Sequence, residues 1–307
     1  MSLALIFPGQ GSQAVGMGRA LAVSDARADA VFAKADEVLG FSLSGLMADG
    51  PEDKLTATEN AQPAILAHSV AVLRVVADEL GPVAFAAGHS LGEFSAHVAA
   101  GTLRYEDALA AVRIRGELMF AAGRKRPGTM AVVLGLSDDA VEALCAAVDV
   151  GVCVPANFNA SGQVVISGDA AGVKQGMERA QAAGAKRVVL LNVSGAFHSS
   201  LMEPAADGLR DKLESIDFQD PAYPVFSNVT AMPVTSGSEA RKLLIKQLTA
   251  PVRWSASVAG MVEAGTDRFL EVGPGSVLRG LNRRNAKGVP CSSIEKPEDL
   301  AALGDGA

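Results

Sequence analysis

Cysteine is scarce in this chain. Cys145, Cys153 and Cys291 are the only three in 307 residues, none stands in a C-x-x-C pair, and an odd number leaves no disulfide framework. Cys145 and Cys153 fall in apolar runs and read as small core fillers, so a reducing, cytoplasmic setting is expected. Aromatic residues are also few, at 5% with a single Trp and two Tyr. Basic residues do not predominate: 27 Lys and Arg against 34 Asp and Glu give a net charge of -7. That balance argues against a general nucleic-acid or membrane-surface role. No apolar run approaches the ~20 residues of a membrane-spanning helix. The run Leu3–Phe7 is too short for a signal peptide and lacks a basic flank. What is present is the composition of a globular protein, 49% hydrophobic and 20% charged. The length allows one large domain, or a large domain with a smaller one.

Leu3–Phe7 breaks at Pro8-Gly9 and reads as a buried strand. Ser24 is a candidate N-cap for a helix over Asp25–Leu39, closed by Gly40. Further helices are predicted over Ala61–Leu80, Glu93–Ala100 and Tyr105–Ala122, the last closed by Gly123, with a strand at Val83–Ala87. The middle of the chain then changes rhythm. Strand Thr129–Gly135, helix Asp138–Val148, strands Val152–Pro155 and Gln163–Ser167, helix Ala170–Ala183 and strand Lys186–Val193 spell β-α-β-β-α-β. That is the ferredoxin-like unit, and it reads as an inserted small domain. The larger pattern resumes with a helix at Leu201–Ile216, a strand at Pro224–Val229, a helix at Ser255–Ala264, a strand at Arg268–Val272 and a helix at Ser276–Arg284. Such alternation implies an α/β fold whose mostly parallel sheet is covered on both faces. The polar, Gly-rich last residues read as a frayed tail.

Gly88-His89-Ser90-Leu91-Gly92 lies between a predicted strand and a predicted helix, the context of a nucleophile elbow. A Cβ at either glycine would clash with the crossing elements. The turn would lift the Ser90 hydroxyl to the N-terminus of a helix, which favours developing negative charge. The N–H of Leu91 is then a natural oxyanion donor. A serine needs a base, and there are four histidines. His68 and His97 fall inside helices, and the His89 side chain should point away from its neighbour Ser90. His198 sits in a loop just before a helix, whose N-terminus keeps the ring neutral and ready to accept a proton. The alternative is a surface histidine. No Asp or Glu is placed at a strand end shortly before His198, so a carbonyl is expected to orient the base, which weakens a hydrolase reading.

The loop Pro8–Gln13, extended by Ala14, matches G-x-G-x-x-A. A dinucleotide site would need a second strand ending in an acid about 20 residues on. The region is helical, and a backbone loop facing the reacting carbonyl is the better reading, with the Gln10 N–H as second oxyanion donor. Arg115 shares a helical stripe with Ala108, Val112 and Met119. A guanidinium there needs an anionic partner. A substrate carboxylate would serve, as would Glu106, Glu117 or a path to solvent.

Taken in order, FPGQGSQ at Phe7–Gln13, GHSLGE at Gly88–Glu93, RIRGELM at Arg113–Met119, NFNASGQVVISG at Asn157–Gly168, GAFHSSLMEPA at Gly195–Ala205, QLTAPVRW at Gln247–Trp254 and EVGPG at Glu271–Gly275 resemble the malonyl-CoA:acyl carrier protein transacylase family over nearly the whole chain. The resemblance implies an α/β-hydrolase-like large domain from residues 1–126 and 195–307, an inserted ferredoxin-like domain at 127–194, and an active site between them. It implies Ser90 as nucleophile, His198 as base, Gln10 and Leu91 as oxyanion donors, and Arg115 as the partner of the malonyl carboxylate. Asn159 would line the site from the small domain, Gln247 would orient His198 through its main-chain carbonyl, and Phe197 resembles the malonyl-selective members. The implied reaction is ping-pong transfer from malonyl-CoA to an acyl carrier protein in fatty acid synthesis. It needs no metal or cofactor beyond the phosphopantetheine of the carrier. A malonate decarboxylase subunit, a polyketide acyltransferase, a serine hydrolase and a non-catalytic carrier-binding module are the alternatives. A monomer is expected. Carrier proteins are acidic, so docking calls for a basic patch. Arg124, Lys125 and Arg126 form one candidate and Arg283-Arg284 another, against the alternative of solvated charge runs.

Overall fold

The computed structural model describes residues 2–299; the predicted C-terminal tail lies outside them from residue 300 onward. Strand β1 (Leu3–Phe7) is buried along its whole length. Helix α1 (Arg19–Ser24) is followed by α2 (Ala26–Leu39). Asp25, not Ser24, caps α2, its carboxylate accepting from the Arg27 N–H at 2.8 Å. Ser24 closes the preceding helix and donates back to the Leu21 carbonyl at 3.1 Å. Short helices α3 (Leu43–Asp49) and α4 (Glu52–Thr56) lead into α5 (Thr58–Val76), which is buried on nearly every side. Pro63 sits in its second turn. Its missing N–H leaves the Glu59 carbonyl four residues back without a helical partner, and the Arg113 guanidinium donates to that carbonyl at 3.1 Å.

Strand β2 (Val83–Gly88) runs through the elbow into α6 (Gly92–Ala99), and α7 (Tyr105–Lys125) follows. Helix α7 does not stop at Gly123 as predicted. Gly123 is small for another reason, since a Cβ there would lie 2.4 Å from the Ser194 carbonyl oxygen. The helix ends one residue before Arg126, which precedes Pro127 and is therefore pushed out of the helical region.

Strands β3 (Gly128–Leu134), β4 (Cys153–Ala160), β5 (Gln163–Asp169) and β6 (Arg187–Leu190) form an antiparallel sheet in the order β4-β5-β3-β6. Helices α8 (Asp138–Ala146) and α9 (Ala170–Ala182) pack on it around a core that includes Val133, Val141, Phe158 and Ile166. The predicted order of elements is present, but β4 does not end at Pro155; it continues to Ala160 with an irregular register. That extension matters, because residues beyond Pro155 reach the large lobe. The Phe158 N–H donates to the Val252 carbonyl at 2.9 Å, and the Val252 N–H donates to the Ala156 carbonyl at 2.8 Å.

The chain then re-enters the large lobe. A short 3-10 turn at Ser200–Met202 precedes α10 (Glu203–Glu214), so the single helix predicted over Leu201–Ile216 is two pieces. Strand β7 (Val225–Phe226) is shorter than predicted, and β8 (Pro233–Val234) pairs antiparallel to it. Helices α11 (Gly237–Gln247) and α12 (Trp254–Glu263), strand β9 (Arg268–Val272), helix α13 (Val277–Asn285) and strand β10 (Cys291–Ile294) complete the fold. The large sheet has the order β10-β9-β1-β2-β7-β8 and is parallel except for β8. Sequence periodicity missed the short helices α1, α3 and α4, and also α11, β8 and β10. β10 reads Cys-Ser-Ser-Ile and carries too little apolar pattern to stand out from a loop.

Candidate active site

The elbow is built by glycines that have no room for a side chain. A Cβ on Gly88 would lie 1.9 Å from the backbone of Gly92, and one on Gly92 would lie 2.1 Å from the Phe7 carbonyl oxygen. Between them Ser90 takes a left-handed φ of 50°, a strained conformation for a non-glycine residue that persists only where neighbours hold it. Asn228 holds it. Its Oδ1 accepts from the Ser90 N–H at 2.7 Å, and its Nδ2 donates to the Gly88 carbonyl at 2.7 Å.

The Ser90 hydroxyl faces His198, with Oγ and Nε2 2.9 Å apart. His198 is also left-handed, at φ 59°, and is 5% exposed. Its Nδ1–H is shared between the main-chain carbonyls of Gln247, at 2.9 Å, and Ala250, at 3.1 Å. Those bonds fix the tautomer, leaving Nε2 as an acceptor for the serine proton. Burial, followed by the nearby Arg115 cation, pushes the ring pKa down to about 3. The resting ring is therefore neutral. Carbonyls orient it, as the lack of a suitably placed acid in the sequence led one to expect.

Arg115 is buried and forms no ion pair among the described residues, since Glu117 is taken by Arg113 at 2.6 Å and Glu106 lies 3.9 Å from Arg104. Its guanidinium donates to Gln62 Oε1 at 2.6 Å, to Gln247 Oε1 at 3.0 Å and to Ser90 Oγ at 3.1 Å, and its Nε has no partner. Burial pushes its pKa down to about 10, which still leaves a full charge at neutral pH. An intact cation thus touches the hydroxyl of the elbow, with neutral groups for its other partners.

These groups open on a cleft of about 580 Å³ between the two lobes, whose walls include Gln10, Ser90, Leu91, Arg115, Phe197 and His198. The main-chain N–H groups of Gln10 and Leu91 donate to no group among the described residues. Asn159, expected in the wall, is not there. The small lobe presents Asn157 instead, and Asn159 accepts from His89 Nε2 at 2.8 Å while its carbonyl accepts from Asn285 at 2.8 Å. Asn159 thus meets the cleft only through the His89 ring, which packs near Trp254. His68 and His97 are buried in α5 and α6, away from the cleft, and burial pushes their pKa values down to about 4 and about 3. Arg124, Lys125 and Arg126 are exposed at the end of α7, the helix that carries Arg115. Arg283 and Arg284 are exposed on α13, and Arg284 donates to Gln163.

Sequence reasoning missed Asn228, Gln62 and Glu93. Asn228 follows a two-residue strand and bonds a partner 138 residues away, so no local pattern marks it. Glu93 did carry a signal: it is an acid inside the otherwise apolar segment Leu91–Ala96.

The acyl transferase domain family matches residues 4–295. The malonyl CoA-acyl carrier protein transacylase of Bacillus subtilis is 43% identical over 97% of this chain and 95% of its own. That of Escherichia coli K12 is 42% identical over 97% of each. Among solved structures, an acyl carrier protein S-malonyltransferase from Vibrio cholerae superposes with a TM-score of 0.95 at 42% identity, covering 99% of this chain and 100% of that one. A malonyl-transacylase solved in complex with a type II polyketide acyl-carrier protein superposes with a TM-score of 0.96 at 39% identity, each chain covered in full. The chain belongs to the acyl transferase domain family, and it is an acyltransferase.

Proposed function

We propose that the chain transfers a malonyl group from coenzyme A to an acyl carrier protein by a ping-pong route through malonyl-Ser90, in fatty acid synthesis. The observation that carries the choice of acyl group is the place of Arg115. Its buried, carboxylate-free guanidinium stands 3.1 Å from Ser90 Oγ. A cation so close to the nucleophile suits an acyl chain whose own carboxylate is only a methylene beyond the reacting carbonyl. An acetyl group would leave that charge without an anion, and a much longer diacid would overshoot it.

Ser90 attacks the thioester carbonyl as its proton passes to His198 Nε2. The oxyanion is received by the N–H groups of Gln10 and Leu91, which are free to donate. His198 then protonates the departing coenzyme A thiolate. In the second half-reaction the carrier's phosphopantetheine thiol gives its proton to His198 and attacks the ester, and Ser90 recovers its proton from the same ring. The proton moves on one histidine and the negative charge rests on backbone N–H groups, so the steps call on no metal or redox group. Action as a monomer belongs to this reading, because none of the steps calls on a residue from a second copy. Docking of the acidic carrier is assigned to Arg124, Lys125 and Arg126, of which the first two lie along α7 about 14–15 Å from Arg115 at 1.5 Å per residue and the third directly follows the helix. The complex solved for a relative has a polyketide carrier, so such a carrier belongs among the acceptors assayed.

Intact-mass measurement after mixing with malonyl-CoA tests the reading. One malonyl mass should appear, should be absent in Ser90→Ala, and should be discharged by a phosphopantetheinylated carrier. An adduct that survives in Ser90→Ala, or one lost to water as fast as to carrier, would sink it.

A further inference from the structure

One buried carboxyl group beside the site takes no part in those steps. Glu93 is the second residue of α6 and has no exposed surface. Its Oε2 accepts from Gln247 Nε2 at 2.6 Å and from the Asn228 N–H at 3.2 Å. Both partners of Oε2 are donors, which favours the ionised form, while burial, with Oε1 left without a partner among the described residues, pushes the pKa up to about 7.

Both partners of Glu93 hold the reacting groups. Gln247 Nε2 also donates to the Ser90 carbonyl at 2.9 Å, Gln247 Oε1 accepts from Arg115 at 3.0 Å, and the Gln247 carbonyl accepts from His198. Asn228 fastens the Ser90 and Gly88 backbone. The two ends of a glutamine amide are nearly the same size, so something must decide which way it points. Here one end meets a guanidinium, which only donates, and the other meets a carboxylate, which only accepts. A single orientation satisfies both. The Ser90 carbonyl accepts from the same NH₂ and supports the same orientation; were position 93 neutral, the amide would lose its charged acceptor, and the guanidinium it steers would be held less firmly. The carboxylate also offsets the Arg115 charge from beyond the amide, without itself contacting the guanidinium. An acid in direct contact would compete with the acyl carboxylate for the same donors.

We propose that Glu93 is a positioning residue for acyl selection: through Gln247 it aims the Arg115 guanidinium at the distal carboxylate of the acyl group on Ser90, and balances that cation without occupying it. This role rests on the reading of Arg115 as the malonyl clamp.

The test is a double-mutant cycle on the full chain: wild type, Glu93→Gln, Arg115→Ala and the pair, with kcat/KM for acylation measured with malonyl-CoA and with acetyl-CoA. Glu93→Gln should lower the malonyl-to-acetyl ratio about tenfold, the scale of one hydrogen bond to a charged group. That effect should vanish in the Arg115→Ala background, where there is nothing left to aim. Glu93→Asp, which keeps the charge on a shorter stem, should fall between wild type and Glu93→Gln. Equal losses for both acyl groups, an effect of the same size in both backgrounds, or an Asp variant no better than Gln would overturn the role. A ratio that responds to Arg115→Ala but not to Glu93→Gln removes the positioning role alone. A ratio unmoved by Arg115→Ala removes the malonyl reading, and the Glu93 role with it.

Discussion

Ser90 and His198 are two of the three non-glycine residues with positive φ among the described residues. Each is held by main-chain or amide groups rather than by an acid. For His198 this has a measurable consequence. A ring whose pKa lies near 3 in place of the ordinary 6.5 carries no proton until the solution is strongly acid, so it is neutral and able to accept a proton throughout the neutral range. NMR of the His198 ring should therefore show no titration between about pH 5.5 and 8, where an exposed histidine passes through its midpoint. On the proposed route the same ring serves both half-reactions, so His198→Ala should slow acylation by malonyl-CoA and discharge to the carrier alike, by roughly 10²–10⁴-fold in single-turnover assays. Loss of one step with the other intact would give His198 a different part.

The elements meet the site where their backbones come closest. Strand β1, the elbow and α6 cross with no space for side chains at Gly88 and Gly92, whereas Gly280 in the middle of α13 has no atom within 4 Å of the place a Cβ would take. Gly92→Ala should cost about 3 kcal/mol or more, because backbone cannot yield as a side-chain tip can. Gly280→Ala should stabilise by up to about 1 kcal/mol through helix propensity alone. Urea unfolding of the two variants measures both, and a mild effect at Gly92 would mean the crossing is looser than it stands. Helix α7 carries Arg115 midway and has the exposed Arg124, Lys125 and Arg126, the patch proposed to dock the carrier, at its end. Charge reversal at those three residues should raise the carrier's KM and leave malonyl-CoA acylation nearly unchanged. A carrier KM that neither the reversal nor added salt moves would place docking elsewhere.

At the scale of the molecule, the two sheets are joined as well as adjacent. The end of β4 pairs with the segment at Val252 through two main-chain hydrogen bonds, and Asn159 links the elbow to α13, its side chain accepting from His89 and its main-chain carbonyl from Asn285. Lobes tied in this way should unfold together. Denaturant melts followed by far-ultraviolet circular dichroism and by the fluorescence of Trp254, the single tryptophan, should coincide in one transition. Separate midpoints would mean that the small lobe is an independent unit and that the cleft can open by its detachment.

Much of this was legible in the amino-acid order, and the reason is that the legible part is local. Strand β1, the strand–elbow–helix around Ser90, and the β-α-β-β-α-β run each depend on residues a few positions apart, so apolar period and glycine placement suffice to mark them. The boundaries went astray where a distant contact governed: Gly123 is small because of Ser194, and Pro155 does not end β4 because that strand runs on to pair with Val252. Residue types also announced a serine, a base without an acid, and an arginine that needed an anion. Which groups meet them was decided by the tertiary structure. His198 is 108 residues from Ser90, and Arg115 takes Gln62 and Gln247 at separations of 53 and 132 residues. Asn159 shows the limit most plainly. It belongs to the right strand and still bonds His89 instead of lining the cleft. A hydrogen bond of about 3 Å depends on how two lobes are set against each other, and no periodicity within either lobe carries that information.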